Sequence, residues 1–109
     1  NHVQYVDSAI LPIVKNILNS SDSPPVIVII GDHGADSANR LGILSAYYLP
    51  EDLAADIPED TSLVNSFRYV FNLVFRADLP ILENISYLSN QTETYEFTEY
   101  PETMPNCMP

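Results

Sequence analysis

Val26-Ile27-Val28-Ile29-Ile30-Gly31-Asp32-His33-Gly34 is the stretch on which the reading of this chain turns. Five apolar β-branched residues in a row, with no polar alternation, predict a buried strand covered on both faces, as in parallel sheets. The run stops at Gly-Asp-His-Gly, so the strand delivers a carboxylate and an imidazole to its C-terminal end. Open α/β sheets bind ligands at that edge. Both side chains are donors for zinc, manganese or iron. Neighbouring strand residues point to opposite faces, so the two reach one ion only if the backbone turns between or just after them. Gly31 and Gly34 are expected to allow that turn. Taken alone, the tetrapeptide also suits an ordinary turn, because Asp and Gly favour turns for local reasons.

Upstream of this strand, Val3, Val6, Ile10, Ile13, Val14 and Ile17 recur at helical spacing and predict an amphipathic helix from His2 to about Asn19. Pro12 predicts a kink or a late start. Residues 20–25, Ser-Ser-Asp-Ser-Pro-Pro, read as a loop. Helix, short loop and buried strand make half of a β-α-β unit. Downstream, residues 31–40 read as a polar loop and Gly42–Leu49 as a second strand ending at Pro50. Residues 51–60 are acidic and loop-like, with a single turn at Leu53-Ala54-Ala55. Thr61 or Ser62 is expected to cap a second helix through its side-chain oxygen. Leu63, Phe67, Val70, Phe71 and Val74 form the expected buried stripe of that helix, which Asp78-Leu79-Pro80 ends. Tyr47 and Tyr48 alternate, so one is expected in the core and the other toward a loop. Residues 81–89 read as extended or irregular.

Glu93, Glu96, Glu99 and Glu102 repeat every three residues among Tyr95, Phe97 and Tyr100. This reads as a solvated edge or tail, and 93–109 as an acidic irregular extension of a domain spanning 1–92. Residues 104–109 are expected to fray.

The chain of 109 residues carries fifteen acidic and four basic residues, a net charge of −11. Such a chain repels phosphate backbones and lacks the Lys/Arg clusters that nucleic-acid binding requires. A divalent cation in an acidic site is the exception, because it reverses the local field. Cys107 is the single cysteine, so the chain forms no internal disulfide and no paired-cysteine zinc site. The apolar runs are far short of the roughly 20 residues of a membrane span. Residues 19–21, 84–86 and 90–92 fit the glycosylation sequon, and chance explains them in so Asn/Ser/Thr-rich a chain. A run of apolar residues ending in Asp also suits a P-loop NTPase, but no glycine-rich loop precedes Lys15, the single lysine.

Four stretches in order, Pro24 to Gly34, Arg40 to Pro50, Val64 to Asn72, and Asp78 to Leu82 with Ser86-Tyr87, resemble the C-terminal half of the alkaline-phosphatase-like superfamily. The sulfatase and phosphoglycerol-transferase-like branch is the nearest. The resemblance covers Val3 to about Ser89. It implies a partial three-layer α/β/α sandwich with a mainly parallel sheet. It implies a metal-dependent hydrolase or transferase acting on sulfate or phosphate esters, with Asp32 and His33 as two ligands of a divalent ion (Zn, Mn or Ca). In that family a Ser, Thr or formylglycine attacks phosphorus or sulfur, helped by the metal. The nucleophile and remaining ligands lie upstream of the matching positions.

Ser37 and Ser45 have no base at a recognisable spacing, and Cys107 follows the Asp-His pair instead of preceding it. The chain therefore reads as a piece of a larger domain, inactive alone, with open strand edges that favour self-association. Relatives are often membrane-anchored and face outward. Arg40 is expected either to meet a phosphate or sulfate oxygen or to be solvated at a strand start. Arg68 is expected to pair with an acidic neighbour such as Asp60. The sequence departs from the family pattern at Arg76, where relatives often have glycine, and at Ser45, where they often have asparagine. The competing expectation is a non-catalytic acidic interaction module or a remnant of that fold.

Overall fold

A computed structural model describes residues 2–34, 40–90 and 92–100. Helix α1 (His2–Ser20) runs through Pro12. Its Ile10, Val14 and Ile17 are half-buried, whereas Tyr5, Val6, Leu11 and Ile13 stay exposed. Strand β1 (Ile27–Ile30) follows, then β2 (Ser45–Tyr48), a 3-10 segment at Pro50–Asp56, helix α2 (Leu63–Phe75), β3 (Ser86–Leu88) and β4 (Thr98–Tyr100).

The mainly parallel sheet expected from the sequence is not what forms. Among the described residues there are two small sheets, β1–β2 and β3–β4, and each is an antiparallel pair. A three-layer α/β/α sandwich built on a parallel sheet is therefore ruled out as the description of this fold. The physical reason lies in the connection. A parallel neighbour needs a crossover, usually through a helix. Here the chain instead turns back along itself. Ile27 faces Tyr48 and Ile30 faces Ser45. The ladder continues as Gly31 N–H donates to the Leu44 carbonyl at 2.8 Å, and Gly34 N–H to the Arg40 carbonyl at 2.7 Å. The apolar composition of β1 overstated burial, since its four residues are only half-buried and Val26 before them is exposed, and it did not report strand direction.

The core is small. Leu49, Ile57 and Val70 are buried, with Val28, Tyr47, Leu53, Ala54, Tyr69, Leu73 and Val74 packed around them. Tyr47 faces this core while Tyr48 is exposed. The expected stripe on α2 is displaced: Val70 is buried and Val74 half-buried, but Leu63, Phe67 and Phe71 are exposed. The most buried positions of the helix are polar, Asn65 and Ser66. They are affordable there because every buried side-chain polar atom among the described residues is hydrogen-bonded. Ser66 Oγ accepts from the Tyr47 hydroxyl at 2.7 Å and donates to the Ser62 carbonyl at 3.2 Å.

Ser62 occupies the N-cap of α2, yet its hydroxyl does not cap the helix. It donates to Asn84 Oδ1 at 2.7 Å, and Thr61 donates to the Pro58 carbonyl. Asn84 also accepts from Asn65 Nδ2 and donates to the Asp60 carbonyl. Its amide thus ties the start of α2 to the segment before β3.

Arg68 does not pair with Asp60; its guanidinium donates to the Pro80 carbonyl at 2.8 Å. Helix α2 ends at Arg76 in the left-handed region (φ 54°, ψ 42°), with Arg76 N–H on the Asn72 carbonyl and Ala77 N–H on Phe71. This is the helix-ending geometry that favours glycine, and here Arg76 occupies it with a side chain. The acidic segment after residue 92 contributes β4, where Glu99 pairs with Tyr87. Cys107 and the other residues from 101 onward lie outside the described residues.

Candidate metal pair and cleft

Asp32 and His33 stand just past the end of β1, where the ladder between Gly31 and Leu44 releases the chain. The two side chains converge: His33 Nε2 lies 3.8 Å from Asp32 Oδ2. His33 Nδ1 lies 2.7 Å from the Gly34 carbonyl. A carbonyl oxygen only accepts, so Nδ1 carries the proton in the neutral ring and Nε2 keeps its lone pair, facing the carboxylate. Histidines that bind metals are commonly oriented this way, by a carbonyl on the far nitrogen. Two donors at about 2.0–2.2 Å from one tetrahedral ion sit about 3.4 Å apart. A small side-chain adjustment closes the observed gap to that value.

The turn that brings them together does not use glycine's special freedom. No glycine has a positive φ among the described residues, and a Cβ on Gly31 would meet only ordinary contacts, the nearest being Leu44 N at 3.5 Å. The pair is solvent-facing, with the Asp32 side chain 91% and that of His33 50% exposed. Among the described residues no group of three His, Cys, Asp or Glu side chains is placed to hold a metal. A carboxylate and an imidazole are donors that suit a divalent cation, and two of them fall short of the three or four protein ligands of a zinc site.

Beside this pair opens a cleft of about 670 Å³. Asp32 and Arg40 both line it; His33 does not. Arg40 reaches that place because its carbonyl is tied to Gly34 N–H, two residues beyond Asp32. The opposite wall is the start of α2 with Glu59, Asp60 and Ser62, together with Asn84 and Tyr100. These opposite-wall residues carry no sequence motif. Among themselves they are joined by the Ser62–Asn84 bonds and the β3–β4 pairing. Ser45 also lines the cleft, but among the described residues no imidazole or carboxylate hydrogen-bonds its hydroxyl. Ser37 lies outside the described residues. No described helix is long and apolar enough to cross a membrane.

Comparison of the chain with family models, with curated proteins and with solved structures gives no significant match.

Proposed function

We propose that this chain carries the Asp-His part of a divalent-cation site in a hydrolase or transferase for phosphate or sulfate esters, of the sulfatase-like kind. The observation that supports this best is the convergence of Asp32 Oδ2 and His33 Nε2 to 3.8 Å, with the ring tautomer set by the Gly34 carbonyl. Asp32 and His33 would hold the ion (Zn, Mn or Ca), and Arg40, which lines the same cleft as Asp32, would meet the anionic group of the ester. When bound, a divalent ion supplies Lewis-acid stabilisation of charge on the transferred group. The chain's own contribution is to present a carboxylate and an imidazole from one turn, beside the Arg40 guanidinium that attracts the ester. No residue is assigned as nucleophile, so the chain is expected to bind metal without turning over substrate.

Calorimetric titration of the chain with zinc, manganese and calcium tests the reading. The expected result is weak one-to-one uptake of at least one of them, lowered tenfold or more by Asp32→Asn and by His33→Ala. Absence of uptake for all three would instead favour a non-catalytic acidic interaction module, the reading that the lack of a third described ligand supports.

A further inference from the structure

The acidic-aromatic repeat after residue 92 takes no part in the metal pair, and the register of β3 and β4 shows how it is presented. Ser86 pairs with Tyr100, and both line the cleft. Tyr87 pairs with Glu99, one step along each strand. Successive strand residues point to opposite faces, so Tyr87 and Glu99 stand on the reverse of the β3–β4 pair, away from the cleft. Phe97 lies two positions before Glu99 and shares that face. Directly opposed side chains on paired strands are about 5 Å apart and diagonal ones about 7–8 Å. Glu99 therefore stands beside Tyr87, with Phe97 diagonal to it.

Tyr87 is 53% and Phe97 65% exposed, and Tyr95, in the turn before β4, is 92% exposed. Glu93, Glu96 and Glu99 are exposed as well. Among the described residues no cation lies within ion-pair distance of these three carboxylates. No Lys, Arg or His follows Arg76 in the sequence, so the negative field of this segment is not offset locally. That local charge selects the partner. Nucleic acid and anionic membrane surfaces are repelled. A purely apolar partner would strip water from the carboxylates and return nothing to them. A cationic partner satisfies both components of the face, because it pairs with Glu99 and is attracted to the ring faces of Tyr87 and Phe97.

We propose that the reverse face of β3–β4 binds an extended, arginine-bearing segment of another protein. A guanidinium suits this face better than an ammonium, because it is planar, more weakly hydrated, stacks on aromatic rings and meets a carboxylate with two N–H groups. Alternate residues of an extended chain project to one side about 6.6 Å apart, the same repeat that separates Phe97 from Glu99. Arginine at every second position of a segment lying along β4 thus meets Phe97 with one side chain and the Tyr87–Glu99 pair with the next. The net charge of −11 on the whole chain draws such a segment in. The surface uses none of Asp32, His33 and Arg40, so it stands apart from the metal reading.

Titration of the full chain with a capped peptide of three Arg-Thr repeats, followed by NMR, tests this at about 0.1 M salt, where charges more than about 10 Å apart are screened. The signals of Tyr87, Phe97 and Glu99 are expected to shift together and to saturate. Phe97→Leu and Tyr87→Thr are each expected to weaken binding about threefold, the scale of one exposed cation–π contact. Glu99→Gln is expected to weaken it about threefold, the scale of one exposed ion pair. Asp22→Asn, which removes the same charge from the loop before β1, is expected to leave it unchanged. The lysine version of the peptide is expected to bind more weakly than the arginine version. Glu99→Gln keeps size and shape, and so stays decisive where a ring substitution disturbs the hairpin. Four results would overturn the proposal. They are the absence of a saturable shift, equal affinity for the two peptides, equal weakening by Asp22→Asn and Glu99→Gln, and folded ring variants that bind as well as the unmodified chain.

Discussion

Asn65 and Asn72 stand seven residues apart on α2, and each grips both backbone polar groups of one residue in the returning chain. Asn65 accepts from Leu82 N–H at 2.9 Å and donates to the Leu82 carbonyl at 2.7 Å. Asn72 does the same with Leu79, at 2.6 and 2.8 Å. Seven helical residues rise about 10.5 Å, and the three steps from Leu79 to Leu82 span about 10 Å when extended. The two repeats match, and Arg68 fills the space between by donating to Pro80. Two side-chain amides thus replace the ladder a partner strand would have provided, and hold residues 79–82 against the helix on the way to the cleft.

Replacing Asn65 with Leu removes its four side-chain hydrogen bonds, to Ser62, Asn84 and both backbone groups of Leu82, and leaves the Leu82 N–H and carbonyl without this partner. Because Asn65 is buried and its bonds to Leu82 are half-buried, the expected loss is about 2–3 kcal/mol for the hydrogen bonds removed together. Asn72→Leu is expected to cost about 1 kcal/mol, since its contacts are exposed and water can substitute. Urea unfolding of both variants measures the difference. Equal losses would count against the role of burial.

Arg76→Gly is expected to stabilise the chain. Arg76 sits at φ 54°, where a side chain costs about 1–2 kcal/mol relative to glycine, offset in part by the greater freedom of glycine in the unfolded chain. A net gain of about 0.5–1 kcal/mol should appear as a higher melting temperature, with no change in metal uptake.

Tyr47→Phe keeps the ring in the core and removes the hydroxyl that donates to Ser66 Oγ. Ser66 keeps its own donation to the Ser62 carbonyl, so the expected loss is about 0.5–1.5 kcal/mol. A loss above 3 kcal/mol in thermal unfolding would show that the hydroxyl also positions the start of α2 against β2.

Arg40→Ala separates the two parts of the candidate site. Uptake of zinc or manganese is expected to persist, because Arg40 contributes no donor. Binding of sulfate or vanadate to the metal-loaded chain is expected to weaken by tenfold or more. Calorimetry of anion into the zinc-loaded chain reads it directly, and unchanged anion affinity would mark Arg40 as a solvated surface charge.

The sequence reported some levels of this structure and not others. Helical periodicity placed α1 and α2, and the apolar run placed β1 to within a residue, because these signals are local. Strand direction was not legible. A run such as Ile27–Ile30 looks the same whether its neighbour runs parallel or antiparallel, and the answer lay in bonds from Gly31 to Leu44 and Gly34 to Arg40. The stripe on α2 was misplaced because apolar periodicity cannot register that Asn65 and Ser66 bury themselves by bonding to Leu82, Asn84 and Tyr47. Of the candidate site, the adjacency of Asp32 and His33 was visible as a dipeptide. Of the cleft that Asp32 and Arg40 share with Asp60 and Asn84, the far side is tied by side-chain bonds across more than twenty positions, Ser62 and Asp60 to Asn84, which leave no spacing to read.

The bond from His33 to the Gly34 carbonyl has a consequence for how the site tolerates mutational drift. Every amino acid at position 34 brings its own main-chain oxygen, so substitution there does not take the acceptor away. The orientation of the imidazole therefore answers to main-chain geometry, held by the link from residue 34 to Arg40, and not to the identity of any side chain. Beyond replacement of Asp32 or His33 themselves, the arrangement of the pair is lost only by slippage of that link, so the bond between residues 34 and 40 guards a geometry that no third side chain encodes.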